Sequence, residues 1–380
     1  MISLDDSLQG DVLRLRDSMV KFEGTNKTDI EICEAAWKPL PLFLNRQLIK
    51  ILEDMGTNDS FFLEHQAKEV RRLRAITSSP YNASTFLKRQ NVGYAVHLPW
   101  LLNKLSSLDI DFRVDSFLRN VLEMSLLHEL RQLKHKTKIP VPKGRHLHGI
   151  MDEFGILEEH QIFCVYTEDG KSRILRGTDV VISRAPCLHP GDVQVVDAVS
   201  LPPDCPLLKL RNCVVFSQKG VRDLPSQLSG GDLDGDRYYV IWDDAARPKM
   251  TYTPADYARK EPINIGRPVL RTDMTDFFVK FMETDQLGRI AVMHRVRADQ
   301  EMDGTLNSTC IMLAEMHSTA VDFSKTGIPV GFDFPATNGT NLNPKRLTCQ
   351  ICLGPHHGVL TLRLQDHMSQ SSQGPVYPLN

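Results

Sequence analysis

Hydrophobic positions along the chain change their period three times. Phe43, Leu44, Leu48, Ile51, Leu52 and Met55 recur at the spacing that lines one face of a helix, and Gly56 ends the pattern. The same spacing predicts a helix over about 61–76, with Phe62, Val70 and Leu73 on one side. It predicts another over about 115–135, with Leu118, Val121, Leu122, Leu126, Leu130 and Leu133. Beyond residue 138 the pattern shortens, because Pro140 and Pro142 stop a helix. Runs rich in β-branched and aromatic residues then predict strands at 147–151, 161–167, 180–183, 193–198, 213–216 and 238–242. Glycines and prolines punctuate them, and such spacing suggests a compact barrel rather than alternating strands and helices. Helical spacing returns at Phe277, Phe278, Phe281 and Met282, in a helix expected to continue through Ile290 and His294 to Val296. A last helix is expected over about 309–323, with Leu313, Met316, Ala320 and Val321 inward.

The two ends carry less pattern. Val12–Phe22 and Asp29–Cys33 alternate enough to predict two strands, which cannot bury a face by themselves. The stretch 1–40 therefore reads as the end of a domain whose beginning is absent. Residues 331–380 are rich in Gly, Pro, Asn, Gln and Ser without a period, so a disordered or weakly ordered tail is expected. It contains Cys349, Cys352, His356 and His357, donors suited to zinc, although Cys352 and His356 lie too close together for a finger.

Composition narrows the classes without choosing one. Hydrophobic content of 41% and charged content of 24% are those of a soluble globular protein. No apolar run approaches a membrane span, and the N-terminus has neither the basic nor the apolar part of a secretory leader. Eight cysteines without framework spacing fit reduced thiols, so an intracellular location, nucleus or cytoplasm, is expected. A net charge of −2 lends no support to nucleic-acid binding, which would rest on local patches. Lys68, Arg71, Arg72 and Arg74 form one such patch, which is either a solvated helix face or a phosphate-facing one.

The candidate chemistry lies in Ser229-Gly-Gly-Asp-Leu-Asp-Gly-Asp-Arg-Tyr-Tyr-Val-Ile-Trp-Asp243. Asp232, Asp234 and Asp236 crowd like charges that repel unless a cation sits among them. Hard oxygen donors suit magnesium, which keeps coordination positions open for substrate phosphates. Glycines bend the loop, and Tyr238–Trp242 anchors it on a strand. Two other readings fit the same residues. Such a loop also occurs as a solvated turn. The three aspartates also occupy the first, third and fifth positions of a calcium loop. That pattern then requires Gly and Glu where Arg237 and Asp243 stand, and a helix where a strand is predicted.

At this loop the chain resembles the cellular RNA-dependent RNA polymerases of eukaryotic RNA silencing. The resemblance extends over about 30–330. It includes Ala36-Trp-Lys-Pro with Phe43-Leu-Asn-Arg-Gln47, and Gly144-Arg-His-Leu-His-Gly-Ile-Met-Asp-Glu-Phe-Gly155. It continues in Pro186-Cys-Leu-His-Pro-Gly-Asp-Val193, Phe216-Ser-Gln-Lys-Gly220, and Leu313-Ala with Ala320-Val-Asp-Phe-Ser-Lys-Thr-Gly327. It implies an α+β fold with two double-psi β-barrels, the aspartates on the second. Residues 1–40 would then be the remnant of the first barrel, 41–138 a helical connector, 139–245 the second, catalytic barrel, and 246–330 a helical region. Ser183-Arg-Ala-Pro-Cys-Leu-His189 resembles a stretch of the transcription polymerases, which would place Arg184 near the incoming ribose; pairing with a backbone carbonyl is the alternative. Lys21, in Arg16-Asp-Ser-Met-Val-Lys-Phe22, resembles one of two family lysines near the reacting phosphates. The other falls in a stretch this chain does not contain, so low activity of the chain alone is expected.

The activity implied is RNA-templated transfer from ribonucleoside triphosphates, with Asp232, Asp234 and Asp236 holding magnesium, or manganese in its place. Single-stranded RNA template, the triphosphates and silencing proteins are the implied partners, and no membrane is. Arg145, Lys219 and Arg237 are candidates for RNA-backbone contacts or for solvated surface. Two other functions remain open: an RNA-binding or interaction fragment without catalysis, and a metal-dependent nuclease.

Overall fold

The computed structural model describes residues 2–3, 8–10, 12–15, 17–19, 31–32, 34–257 and 260–331. Before the barrel, the chain forms one strand, β1 (Leu40–Leu44), and five helices: α1 (Arg46–Asp54), α2 (Asp59–Arg74), α3 (Pro80–Gln90), α4 (Leu98–Ser107) and α5 (Ser116–Lys136). Short polar side chains start most of them by accepting a backbone N–H that the first turn leaves free. Asn45 accepts from Leu48 at 2.9 Å, Asn58 from Ser60 at 2.9 Å and Asp115 from Leu118 at 2.8 Å. Inward faces of α1 to α5 meet in one apolar cluster that also takes Ile139, Val141, Val181 and Ile241 from the strands, so the helices pack on the outside of the sheet.

Seven further strands follow: β2 (Ile139–Met151), β3 (Gln161–Glu168), β4 (Lys171–Ile174), β5 (Gly177–Arg184), β6 (Val193–Ala198), β7 (Cys213–Phe216) and β8 (Arg237–Ile241). A short helix, α6 (Leu224–Gln227), separates β7 from β8. Six strands join as β2-β7-β3-β6-β5-β8, and β8 pairs back to β2 to close the barrel expected over this region. The β2–β7 and β3–β6 pairs are parallel and the rest of the ring is antiparallel. Closure removes the exposed edges that an open sheet would leave.

Alternation along the strands decides what lies inside. Ile162, Cys164 and Tyr166 of β3, Val180 and Ile182 of β5, Val214 and Phe216 of β7, and Tyr238 and Val240 of β8 share one buried cluster. Their neighbours Phe163, Val165, Cys213 and Val215 belong to a second cluster on the opposite face. Both faces of these strands are covered, which is why the sequence shows near-continuous apolar runs there.

After the barrel come α7 (Arg271–Thr284), α8 (Leu287–Gln300), α9 (Ser308–Val321) and α10 (Phe323–Thr326). The continuous helix expected from Phe277 to Val296 is thus two helices. The break falls at Asp285, whose carboxylate accepts the Leu287 N–H at 3.0 Å and so starts α8.

Other expectations are also corrected. Phe43 and Leu44, read as helix, lie in β1, which pairs antiparallel with the first half of β2 and makes that strand far longer than 147–151. Prolines are tolerated there because β1 and the start of β2 form an edge. Residues 12–15 and 31–32 form no strand and Asp17–Met19 is a single 3-10 turn; the rest of the two expected N-terminal strands lies outside the described residues. The expected tail and its Cys349, Cys352, His356 and His357 lie outside them too. No helix among the described residues is long and apolar enough to cross a membrane.

Candidate active site

The aspartate loop leaves α6 and enters β8. Asp223 starts α6 by accepting the Ser226 N–H at 2.8 Å, and the Gly231 N–H then donates to Pro225 O at 3.0 Å, folding the loop back on the helix. A side chain at Gly231 has no room. Its Cβ would lie 2.5 Å from the Tyr238 hydroxyl and 2.8 Å from the Pro225 carbonyl oxygen, and backbone cannot move aside cheaply. Ser229 and Leu233 hold left-handed backbone angles, at φ 53° and 59°, which cost energy in a non-glycine residue. The surrounding hydrogen bonds hold them there.

The loop brings its three carboxylates together. Asp232, Asp234 and Asp236 each offer an oxygen within 4.8 Å of the other two, the first two exposed and the third half-buried. Asp236 is the fixed member. One of its oxygens accepts the Asp232 N–H at 3.0 Å, and the other meets Arg184 Nη2 at 2.7 Å. Register places Arg184, the last residue of β5, opposite Tyr238 of β8, and this carries its guanidinium under the loop. The same guanidinium donates to Ser229 O at 2.8 Å. One bound guanidinium thus faces three carboxylates. Asp234 shows the surplus of negative charge: partial burial first, then the charges of Asp232 and Asp236, push its carboxyl above the ordinary value, and Lys325 opposes this.

The donor set fits a divalent cation: three hard oxygens, excess negative charge, and an open side. It does not fit a calcium loop, because a strand follows it rather than a helix.

Asp232 and Asp234 open onto a cleft of about 870 Å³ that is also lined by Tyr257, Lys260, His317 and Lys325. Sequence reading did not single out these lining residues. Lys325 stood within the Ala320–Gly327 block, whereas Lys260 lies in an irregular segment without periodicity.

Of the other candidates, Arg184 lines the cleft. Arg237 turns from it, with Nε donating to His148 Nε2 at 3.3 Å and its guanidinium paired with Glu34. Lys219 follows β7 and pairs with Glu158 at 2.6 Å. Arg145 lies opposite Val240, towards the other end of β8, where it meets Glu168 at 2.8 Å. Lys21 lies outside the described residues.

A closed six-stranded barrel that presents three aspartates to a cleft, with helices around it, is an α+β catalytic fold of the double-psi barrel type. The sequence matches the family described as RNA dependent RNA polymerase over residues 1–368, and the chain belongs to that family. It is 38% identical over 320 residues to RNA-dependent RNA polymerase 1 of Arabidopsis thaliana, covering 83% of this chain and 28% of that one. It is 33% identical over 347 residues to RNA-dependent RNA polymerase 1 of Schizosaccharomyces pombe, covering 84% of this chain and 28% of the relative. The chain therefore spans less than a third of the length of these two relatives. The fold resembles that of the RNA dependent RNA polymerase QDE-1 from Thielavia terrestris, with a TM-score of 0.62 and 19% identity, over 89% of this chain and 44% of that one.

Proposed function

We propose that this barrel carries out RNA-templated nucleotidyl transfer in the production of double-stranded RNA for gene silencing. A 3′-hydroxyl oxygen forms a bond to the α-phosphorus of a ribonucleoside triphosphate, the bond from that phosphorus to the β-phosphate oxygen breaks, and pyrophosphate leaves. The observation that supports this most is the convergence of Asp232, Asp234 and Asp236 at the mouth of the cleft, in a chain of this family. Magnesium is the proposed ion, with manganese able to replace it; when bound it lowers the proton affinity of the attacking hydroxyl and neutralises the leaving oxygens.

The side chains divide the remaining work. Asp236, held from both sides, is the rigid reference point, while Asp232 and Asp234 present oxygens towards the cleft. Lys260 and Lys325 line the same cleft and bring to it the positive charge that a triphosphate needs. Arg184, which lines the cleft while holding Asp236, is the candidate contact for the ribose of the incoming nucleotide. Lys219 and Arg237, near the aspartate end of the barrel, are the candidates for RNA-backbone contacts, with single-stranded RNA as template. Positioning and electrostatics of this kind account for most of the catalysis in phosphoryl transfer.

The test is a primer-independent extension assay on single-stranded RNA with labelled ribonucleotides. It is run on the chain alone and on the chain joined to the N-terminal portion of a relative. Label incorporation that requires template and divalent ion is the expected result, larger for the joined protein. Shortening of the RNA without incorporation would identify a nuclease, and binding without either reaction a non-catalytic module.

A further inference from the structure

Asp192 is completely buried, yet its carboxylate is saturated with hydrogen bonds from parts of the chain that are far apart in sequence. One oxygen accepts the N–H groups of Leu188 and His189, each at 2.9 Å. The other accepts the Tyr257 hydroxyl at 2.6 Å. The Ser229 N–H also faces this carboxylate and favours its charged form. A buried carboxylate costs several kcal/mol unless paired or multiply hydrogen-bonded, on the order of what these donors offset. A methyl-bearing side chain would fill the same space at no such cost.

What these donors have in common is the aspartate loop. Ser229 is the residue through which that loop begins, in a left-handed conformation that serine adopts only when held. Two hydrogen bonds hold it: its hydroxyl donates to Pro186 O at 2.5 Å, in the turn whose Leu188 and His189 N–H groups Asp192 accepts, and its carbonyl accepts from Arg184 at 2.8 Å. Arg184 passes the connection on to Asp236 at 2.7 Å. Tyr257 also packs beside the next loop residue, since a Cβ at Gly230 would lie 3.4 Å from that of Tyr257. A path thus runs from Tyr257 through Asp192, the turn 186–189 that it holds, Ser229 and Arg184 to Asp236.

We infer that Asp192 is a positioning residue for the metal centre, setting the separation of Asp232 and Asp236 through Ser229 and Arg184, with Tyr257 orienting its carboxylate. Asp192 touches none of the three aspartates and acts only by fixing where the loop starts. The inference rests on the reading of those aspartates as a metal site. Burial pushes the Asp192 carboxyl up to about 6, against the hydrogen bonds that pull it down.

The test is direct Mn²⁺ titration of the full chain, followed by electron paramagnetic resonance, with thermal unfolding measured on the same samples. Asp192→Asn keeps the shape but turns an amide donor towards N–H or O–H donors. It should weaken Mn²⁺ binding about tenfold, as expected for a group that orients metal ligands. Tyr257→Phe removes one hydrogen bond and should weaken it about threefold. In the Asp192→Asn background, Tyr257→Phe should add almost nothing, because both act along one path.

In a variant that stays folded at the assay temperature the dissociation constant is that of the folded site, so a merely structural Asp192 would lower the melting temperature and leave it unchanged. Unchanged affinity in Tyr257→Phe would overturn the inference even where Asp192→Asn fails to fold; where it folds, full additivity of the two substitutions would overturn it as well. Absence of Mn²⁺ binding by the parent chain would instead overturn the metal centre itself, and this inference with it.

Discussion

The two ends of the barrel handle charge in opposite ways. Towards the end of β8 where the strand finishes, Arg145 is satisfied within the protein. It donates to the carbonyls of Pro142 and Gly144, pairs with Glu168 at 2.8 Å, and lies over the rings of Tyr166 and Trp242 at 5.1 and 5.6 Å. Where β8 begins, three carboxylates converge and the guanidinium of Arg184 pairs with one of them, Asp236. Both ends are built from the same pair of strands, β2 and β8. Charge that is fully partnered inside the fold contributes stability. Charge left in surplus on a rigid loop is held for something that comes from outside, and this imbalance marks the site better than any count of basic residues.

The largest expected difference between the ends is their response to a divalent ion. Saturating Mn²⁺, at a hundred times its dissociation constant, should stabilise the chain by about 2.7 kcal/mol in thermal unfolding. The shift should vanish in Asp232→Asn combined with Asp234→Asn and survive Arg145→Ala. If both variants keep it, the ion binds elsewhere and the contrast fails.

Arg145→Ala should give the converse result. It removes an ion pair and two ring contacts, so a loss of about 1–2 kcal/mol in denaturant unfolding is expected, with Mn²⁺ affinity unchanged. A large change in that affinity would mean that the two ends are coupled through β2.

The smallest effect is the sharpest in sign. The Asp234 carboxyl lies above its ordinary value in the folded chain. Its protonation therefore favours the metal-free fold at low pH, and this contribution is lost as pH rises through the raised value. Asp234→Asn removes the repulsion, so the metal-free variant should exceed the parent at neutral pH by less than about 1 kcal/mol, since the group is largely solvent-screened. The gap should close on acidification, and with Mn²⁺ present the order should reverse. Unfolding curves across pH, with and without the ion, check all three statements.

Much of this was legible in the sequence where one period dominated. Each of the six ring strands coincides at least in part with a strand expected from the β-branched and aromatic runs, and the aspartates were visible because spacing alone brings them together. The failures have local causes. β1 was hidden because Leu44 continues the spacing of Leu48, Ile51 and Leu52 in α1, so one strand residue reads as the first turn of a helix. The helix α3 buries Ala83 and Ser84 beside Phe86 and Leu87, and two small residues in four leave little hydrophobic signal. α4 starts at His97 in a left-handed conformation without a side-chain cap, so Pro99 in its first turn is left to mark the start. The rest of the cleft lining was unreadable for another reason: Tyr257, Lys260 and Lys325 reach it by tertiary folding, which no local pattern encodes. The same holds for Arg145, which is basic and near the strand that precedes the site, yet is directed by register to the other end.

The most direct test of the central claim is a pair of measurements on one variant. Asp236→Asn is made in the chain joined to the N-terminal portion of a relative, and its rate of nucleotide addition and its affinity for single-stranded RNA are both determined. The account predicts a loss of at least about a hundredfold in the rate, the scale of removing one preorganised charge at a reacting centre. RNA affinity should change little, because backbone contacts carry most of it. Extension at close to the parent rate would contradict the account, since the aspartate cluster would then not be the catalytic metal site.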